Sequence, residues 1–220
     1  MKHPLIIFGV GDVAQLAHYY FTRDTNFEVK AFTVDAAYIQ EPTFCGLPVV
    51  PFDTVEETYP AASHMMFIAM GYARLNQVRR EKFEAAKEKG YLLASYVSPH
   101  ATLNDNPIGE NCFIFEDNTV QPFVSIGHNV TLWSGNHVGH HSVIEDHVFV
   151  ASHVVISGGC RIGEASFLGV NCTLRDRLNI GKRCVIGAGA LLLADAPDES
   201  VYIGAATEAS PVPSSRLRKL

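Results

Sequence analysis

From Ile108 to Leu192 the chain reads, in blocks of six, IGENCF IFEDNT VQPFVS IGHNVT LWSGNH VGHHSV IEDHVF VASHVV ISGGCR IGEASF LGVNCT LRDRLN IGKRCV IGAGAL, and Leu192 opens the next block. Every block begins with Ile, Leu or Val: Ile108, Ile114, Val120, Ile126, Leu132, Val138, Ile144, Val150, Ile156, Ile162, Leu168, Leu174, Ile180, Ile186 and Leu192. These residue types are 51 of 220, so chance gives such a run about once in a billion trials or less, and the segment is a repeat. Glycine follows at Gly109, Gly127, Gly139, Gly163, Gly169, Gly181 and Gly187. It reads as backbone freedom for a chain that turns every six residues. The fifth position is small at Cys112, Asn118, Ser142, Cys160, Ser166, Cys172, Cys184 and Ala190. Four of the five cysteines thus share one slot. No Cys-x-x-Cys pair exists, which points to fillers of tight corners and away from a metal or disulfide framework.

Composition narrows the function. Apolar residues make up 47% and the net charge is −6, so a core is expected and general attraction to nucleic acid is not. No apolar run reaches the length of a membrane span, and the short run Leu5–Phe8 runs into glycines where a leader peptide carries a cleavage site. A cytoplasmic protein with reduced thiols is expected, with no membrane or nucleic-acid partner.

Ahead of the repeat, Pro4–Phe8 reads as a buried strand, Gly9-Val10-Gly11-Asp12-Val13-Ala14 as a glycine turn, and Val13, Leu16, Ala17, Tyr20 and Phe21 as one helical stripe. That order suits a nucleotide-binding βα unit. Val29–Asp35 reads as the second strand, and Met65–Met70 as another that ends at Gly71. Leu75, Val78, Phe83 and Ala86 mark a helix, with Gly90 past its end. Leu92–Val97 reads as a further strand that leads into the repeat. The expected layout is a small α/β, half-Rossmann-like domain over 1–97, the repeat over 98–195 and a tail over 196–220. The short α/β unit suggests a mononucleotide or nucleotide-sugar site: Gly9 and Gly11 let phosphate oxygens approach backbone amides, and Asp35 accepts from a ribose or base edge. Asp12, at the same helix start, brings a carboxylate to the anion position.

Histidines crowd the repeat at His128, His137, His140, His141, His147 and His153. If three blocks make one coil, residues 18 apart are stacked. No two of these histidines are 18 apart, so no metal site assembles within one wall, and zinc is expected only between subunits if at all.

The pattern resembles the hexapeptide-repeat acyltransferases, whose repeat folds as a left-handed parallel β-helix. The resemblance implies a three-sided prism of five coils, about 24 Å tall, with the aliphatic residues stacked inside. Left-handedness breaks the usual right-handed crossover rule and comes from the resemblance alone. The order of parts is most similar to the sialic acid O-acetyltransferase and bacillosamine N-acetyltransferase group, which gives the fold class as an α/β N-terminal nucleotide-binding-like domain followed by a left-handed parallel β-helix. Val138-Gly139-His140-His141 resembles the segment that carries the base in that group and in the UDP-N-acetylglucosamine acyltransferases, and His140 falls on the base.

The resemblance implies acyl transfer from acetyl-CoA, without a metal, to an amine or hydroxyl of a nucleotide-linked sugar or related small molecule. His140 takes the nucleophile's proton. His141 follows where the group often has an acid, and the Gly158 N–H faces the oxyanion and the thioester. Pantetheine runs along Gly169, Val170 and Ala188, and Arg175, Arg177, Lys182 and Arg183 are candidates for the coenzyme's phosphates. A homotrimer is implied, with the active site between subunits. Phe113, Phe115, Phe123, Trp133 and Phe149 lie off the inner ladders and await cover from a neighbouring prism or the α/β domain. The chain departs from the group in four places. Gly11-Asp12-Val13 lacks the loop histidine, and His141 replaces the acid. Phe149 stands where a second histidine contacts the acetyl group, and Gly204-Ala205-Ala206-Thr207 replaces Gly-x-Pro-Ala. A binding or scaffold protein that has lost its chemistry, and a carbonic-anhydrase-like metal prism, are the alternatives.

Overall fold

A computed structural model describes residues 2–216. The first part is a five-stranded sheet. β1 (His3–Phe8) lies between β2 (Phe27–Val34) and β5 (Met65–Ile68), and β4 (Leu47–Pro51) and β3 (Thr43–Phe44) extend the β2 side, in the order β3-β4-β2-β1-β5. All pairs are parallel except β3–β4, a hairpin that the sequence analysis did not foresee. Helix α1 (Asp12–Asp24) buries Ala17 and Phe21 of the expected stripe, with Ala14 beside them, and half-buries Val13, Leu16 and Tyr20. A short helix, α2 (Val55–Thr58), follows β4, and α3 (Gln77–Glu88) follows β5.

The repeat folds into three parallel walls of two-residue strands. Wall one stacks Tyr96–Val97, Phe113–Ile114, Thr131–Leu132, Phe149–Val150, Phe167–Leu168, Val185–Ile186 and Val201–Tyr202. Wall two runs from Thr119–Val120 to Leu191–Leu192, and wall three from Ser125–Ile126 to Asn179–Ile180. Thr131 pairs with Phe149 and His137 with Val155, so stacked residues are 18 apart. The block-leading aliphatics from Ile114 to Leu192 are buried, and Cys112, Cys160, Cys172 and Cys184 pack in the same core as free thiols. Pairing runs past both expected boundaries. Leu93 bridges Met66 of β5, but Tyr96–Val97 already belongs to wall one. The Leu92–Val97 run therefore serves two sheets. At the other end Ala196 bridges Ile180, and Val201–Tyr202 is the last rung of wall one.

The glycines work differently from the sequence expectation. The left-handed residue of each turn is the fourth of its block: Asn111, Asp117, Phe123, Asn129, His141, His147, His153, Ala165, Asn171, Arg177 and Arg183, with Gly135, Gly159 and Gly189 completing the series. Asn, Asp and His tolerate that conformation better than most side chains. The glycines in the second position are not left-handed. A Cβ on Gly139 would lie 2.4 Å from the Gly158 nitrogen, and one on Gly163 2.5 Å from the Gly181 carbonyl carbon. They are required by the close approach of the next coil. Gly163→Ala is therefore expected to cost about 2 kcal/mol or more in urea unfolding. Gly189→Asn, at φ +68° with open space around it, is expected to cost about 1 kcal/mol or less.

The α/β part covers wall one. Tyr20 of α1 and Phe67 of β5 meet Phe113 edge to face, and Tyr72 packs on Phe149 and Phe167. Phe113, Phe115 and Phe149 are thereby buried by the chain's own α/β part, and Trp133 is half-buried. Phe123 is 74% exposed.

Candidate active site

Three clusters emerge. The first is a cleft at the C-terminal end of the α/β sheet, where parallel sheets usually bind ligands. β1 ends at Phe8, and Gly9 has φ +119° with the Ala69 carbonyl 2.8 Å from where a Cβ would stand, so only glycine fits. Gly11 precedes α1, and Asp12 is exposed in its first turn without bonding back to the helix end. The carboxylate therefore leaves the backbone amides of the turn open. Gly9, Gly11, Asp12, Asp35, Tyr38 and Lys82 line a cleft of about 560 Å³. A hollow of about 430 Å³ adjoins it beyond Gly11 and Tyr38. Lys82 of α3 reaches Asp35 at 2.6 Å and lies over the Phe8 and Phe52 rings. It escaped the sequence analysis because only the packing of α3 beside β5 brings it to the glycine turn. Its spacing of four from Val78, on the apolar stripe, was the available signal.

The second cluster lies on the edge between walls two and three. His140 and His141 are exposed there, and the Gln121 carboxamide accepts the His140 backbone N–H at 2.9 Å. The His140 ring covers Gly158 in the next coil: a Cβ there would stand 2.8 Å from Cε1 and Nε2. Among the described residues no acceptor takes the Gly158 N–H, whereas the equivalent amides of His128, Glu164 and Lys182 are capped by side chains. His141, left-handed at φ +60°, turns its ring back so that its Nδ1 meets the His140 Nδ1 at 3.0 Å, and Phe123 packs on its other side. Two facing Nδ1 atoms need one proton between them. With that proton on His140, its Nε2 is left as a free base.

The third cluster lies on the edge between walls one and two. A Cβ on Gly169 would meet the Ala188 nitrogen at 2.7 Å, and Val170 is exposed. Val170, Tyr72, Trp133, Phe149 and Phe167 line a hollow of about 300 Å³ that shares Val13 and Gly71 with the glycine cleft. Of the four cationic candidates, Lys182 pairs with Glu164 and Arg183 with Glu199. Arg175 and Arg177 have no carboxylate partner among the described residues and lie on the His140 edge. No group of three His, Cys, Asp or Glu side chains able to hold a metal occurs among the described residues.

One chain thus joins His140, His141 and Gly158, but it does not bring them to the cleft or to Gly169, Val170 and Ala188. The cleft-bearing part covers wall one, and the His140 edge is the prism edge opposite that wall.

No family model matches the chain. The bifunctional protein GlmU of Bradyrhizobium sp. (strain ORS 278) is 32% identical over 85 residues, 38% of this chain but only 19% of that protein, so the chain spans about a fifth of that relative's length. Solved structures match far more of it. The acetyltransferase domain of PglB from Neisseria gonorrhoeae FA1090, in complex with acetyl coenzyme A, superposes with a TM-score of 0.82 at 21% identity, over 93% of this chain and 97% of that one. A histidine-to-asparagine mutant of perosamine N-acetyltransferase from Caulobacter crescentus, in complex with CoA and GDP-perosamine, gives 0.82 at 22% identity over 93% and 95%. WeeI from Acinetobacter baumannii AYE gives 0.69 at 21% over 92% and 97%. In fold, the chain is an α/β unit joined to the left-handed parallel β-helix of the hexapeptide-repeat acetyltransferases.

Proposed function

We propose that the protein transfers the acetyl group of acetyl-CoA to an amine or hydroxyl of a nucleotide-linked sugar, with His140 as general base. The observation that carries this reading is the His140 imidazole seated on Gly158, with its Nδ1 against His141 and its Nε2 left free. The fold is that of structures holding acetyl coenzyme A, or CoA with GDP-perosamine, and the second of these, a perosamine N-acetyltransferase, favours an amine acceptor. His140 Nε2 takes the proton of the nucleophile as it attacks the thioester carbonyl. The Gly158 N–H donates to the oxyanion, which develops where that amide points. The oxyanion collapses, the C–S bond breaks, and the imidazolium returns its proton to the departing thiolate. The step uses the tautomer in which His140 Nδ1 donates to His141 Nδ1.

The glycine turn and Lys82 would take the diphosphate, and Asp35 the ribose or base edge. Gly169, Val170 and Ala188 would border the pantetheine, with Arg175 and Arg177 toward the coenzyme's phosphates. The opposed placement of cleft and His140 supports a homotrimer in which one chain's cleft faces the next chain's histidine. A cytoplasmic setting fits these substrates.

Saturating acetyl-CoA at about 100 times its Kd is expected to stabilise the protein by about 2.7 kcal/mol, read as a rise in melting temperature. No shift at saturation rejects the reading. Two inactive variants, His140→Ala and Lys82→Glu, refolded together are expected to regain about a quarter of wild-type activity if each site draws on two chains. Zero recovery from folded mixed oligomers rejects the shared site.

A further inference from the structure

Between wall one and the α/β part lies a buried polar chain that the proposed reaction does not use. The Ile68 N–H at the end of β5 donates to Asn111 Oδ1 at 2.7 Å, which fixes the direction of every later bond. Asn111 Nδ2 then donates to Asn129 Oδ1, and Asn129 Nδ2 faces His147 Nδ1, both at 2.9 Å. An amide nitrogen only donates, so His147 Nδ1 must accept, and the ring is neutral with its proton on Nε2. Asn111, Asn129 and His147 are stacked left-handed residues, all buried. Arg79 of α3 closes the chain from the other side. It is 2% exposed and donates to the His147 carbonyl at 2.9 Å, to Thr131 Oγ1 at 2.6 Å and to Asn76 Oδ1 at 3.0 Å. Asn76 in turn donates to the Ala165 carbonyl of the prism.

We propose that Asn111, Asn129, His147 and Arg79 form a proton-operated clamp: with His147 neutral the α/β part is locked on wall one, and a proton on His147 Nδ1 unlocks it and loosens the cleft. The link to the cleft is short. Ile68 runs directly into Ala69, Met70 and Gly71, and α3 carries Val78 and Lys82, all of them cleft residues. Protonation removes the acceptor that the Asn129 amide nitrogen has among the described residues and places a second cation beside Arg79.

The charged groups around His147 are Arg79 and Arg80 from α3, and Asp146 and Glu164 from the prism edge; the Phe83 ring packs on it. Both carboxylates favour the proton, but burial and the arginines outweigh them. Asp146 accepts the His128 N–H, and Glu164 is paired with Arg80 at 2.6 Å. Burial first, and the two arginines after it, depress the His147 pKa to about 4. The clamp is therefore fully closed above the ordinary imidazole pKa, and closure weakens as pH falls below it.

The test is amide hydrogen exchange on the full chain between pH 8 and pH 5, corrected for intrinsic rates. Protection of residues 65–71 and 77–88 is expected to fall by about 30-fold at pH 5, the ratio for an imidazole that opens from a pKa of about 4 to its ordinary value. Walls two and three are expected to hold. His147→Asn keeps a neutral acceptor and tolerates the left-handed backbone, so its protection should be flat across this range. An unchanged pH response in that variant, or no loss in the wild type, overturns the clamp. If the variant does not fold, an NMR titration of His147 in the wild type decides: the clamp requires the ring to titrate together with the opening of β5 and α3, and separate midpoints overturn it. None of these readouts depends on acetyl transfer.

Discussion

His140→Ala is expected to lower kcat for acyl transfer by about 10² or more, with KM for acetyl-CoA little changed. The ring is exposed and makes no bond that holds the coil together: its backbone N–H is tied to Gln121 and its Nδ1 to His141. Truncation removes the proton acceptor and leaves the prism intact, so circular dichroism and melting temperature should not move. The acceptor's chemistry sets the pH response. An amine supplies more of its own free base as pH rises, so the deficit should narrow at high pH. A hydroxyl offers no such escape, and its deficit should stay wide. Steady-state kinetics across pH thus separate the two acceptor classes. Activity unchanged at every pH removes His140 from the role.

Arg79→Leu is expected to destabilise the protein by about 3–5 kcal/mol in urea unfolding near neutral pH. The substitution roughly preserves volume but strands Thr131 Oγ1, Asn76 Oδ1 and the His147 carbonyl, which the guanidinium now satisfies, whereas the Val148 carbonyl keeps the Thr131 N–H. Among the described residues no carboxylate bonds this cation. Burial lowers its pKa to about 10, which leaves it charged at neutral pH, held by carbonyl dipoles and by the Phe149 ring 5.7 Å away. A cost below about 1 kcal/mol would mean that the site relaxes to let water in.

The prism was legible because one rule, an inward aliphatic every sixth residue, decides it, and each wall repeats that rule. Gly9, Gly11 and Asp35 were legible because a strand, a glycine turn and a helix are contiguous in the chain. What could not be read depends on distant packing. Lys82 reaches the cleft only because α3 lies beside β5, and Arg79 looks in sequence like a solvated helix cation. The second-position glycines were correctly marked but misread: their reason is the backbone of the next coil, which no local pattern displays. The His140–His141 contact was hidden because neighbouring side chains normally diverge, and only the left-handed backbone at His141 folds one ring onto the other.

The 18-residue register also governs how the gene can change length. A single inserted residue inside a wall would turn every later aliphatic outward and shift each left-handed corner onto a residue unsuited to it. Six residues keep the inward phase but move every later block to the next wall, so only a whole turn of three blocks, or an excursion bulging from a corner that rejoins in phase, also leaves each residue on its own wall. Column height should therefore vary among relatives in steps of one complete coil, and side loops should be confined to the three edges.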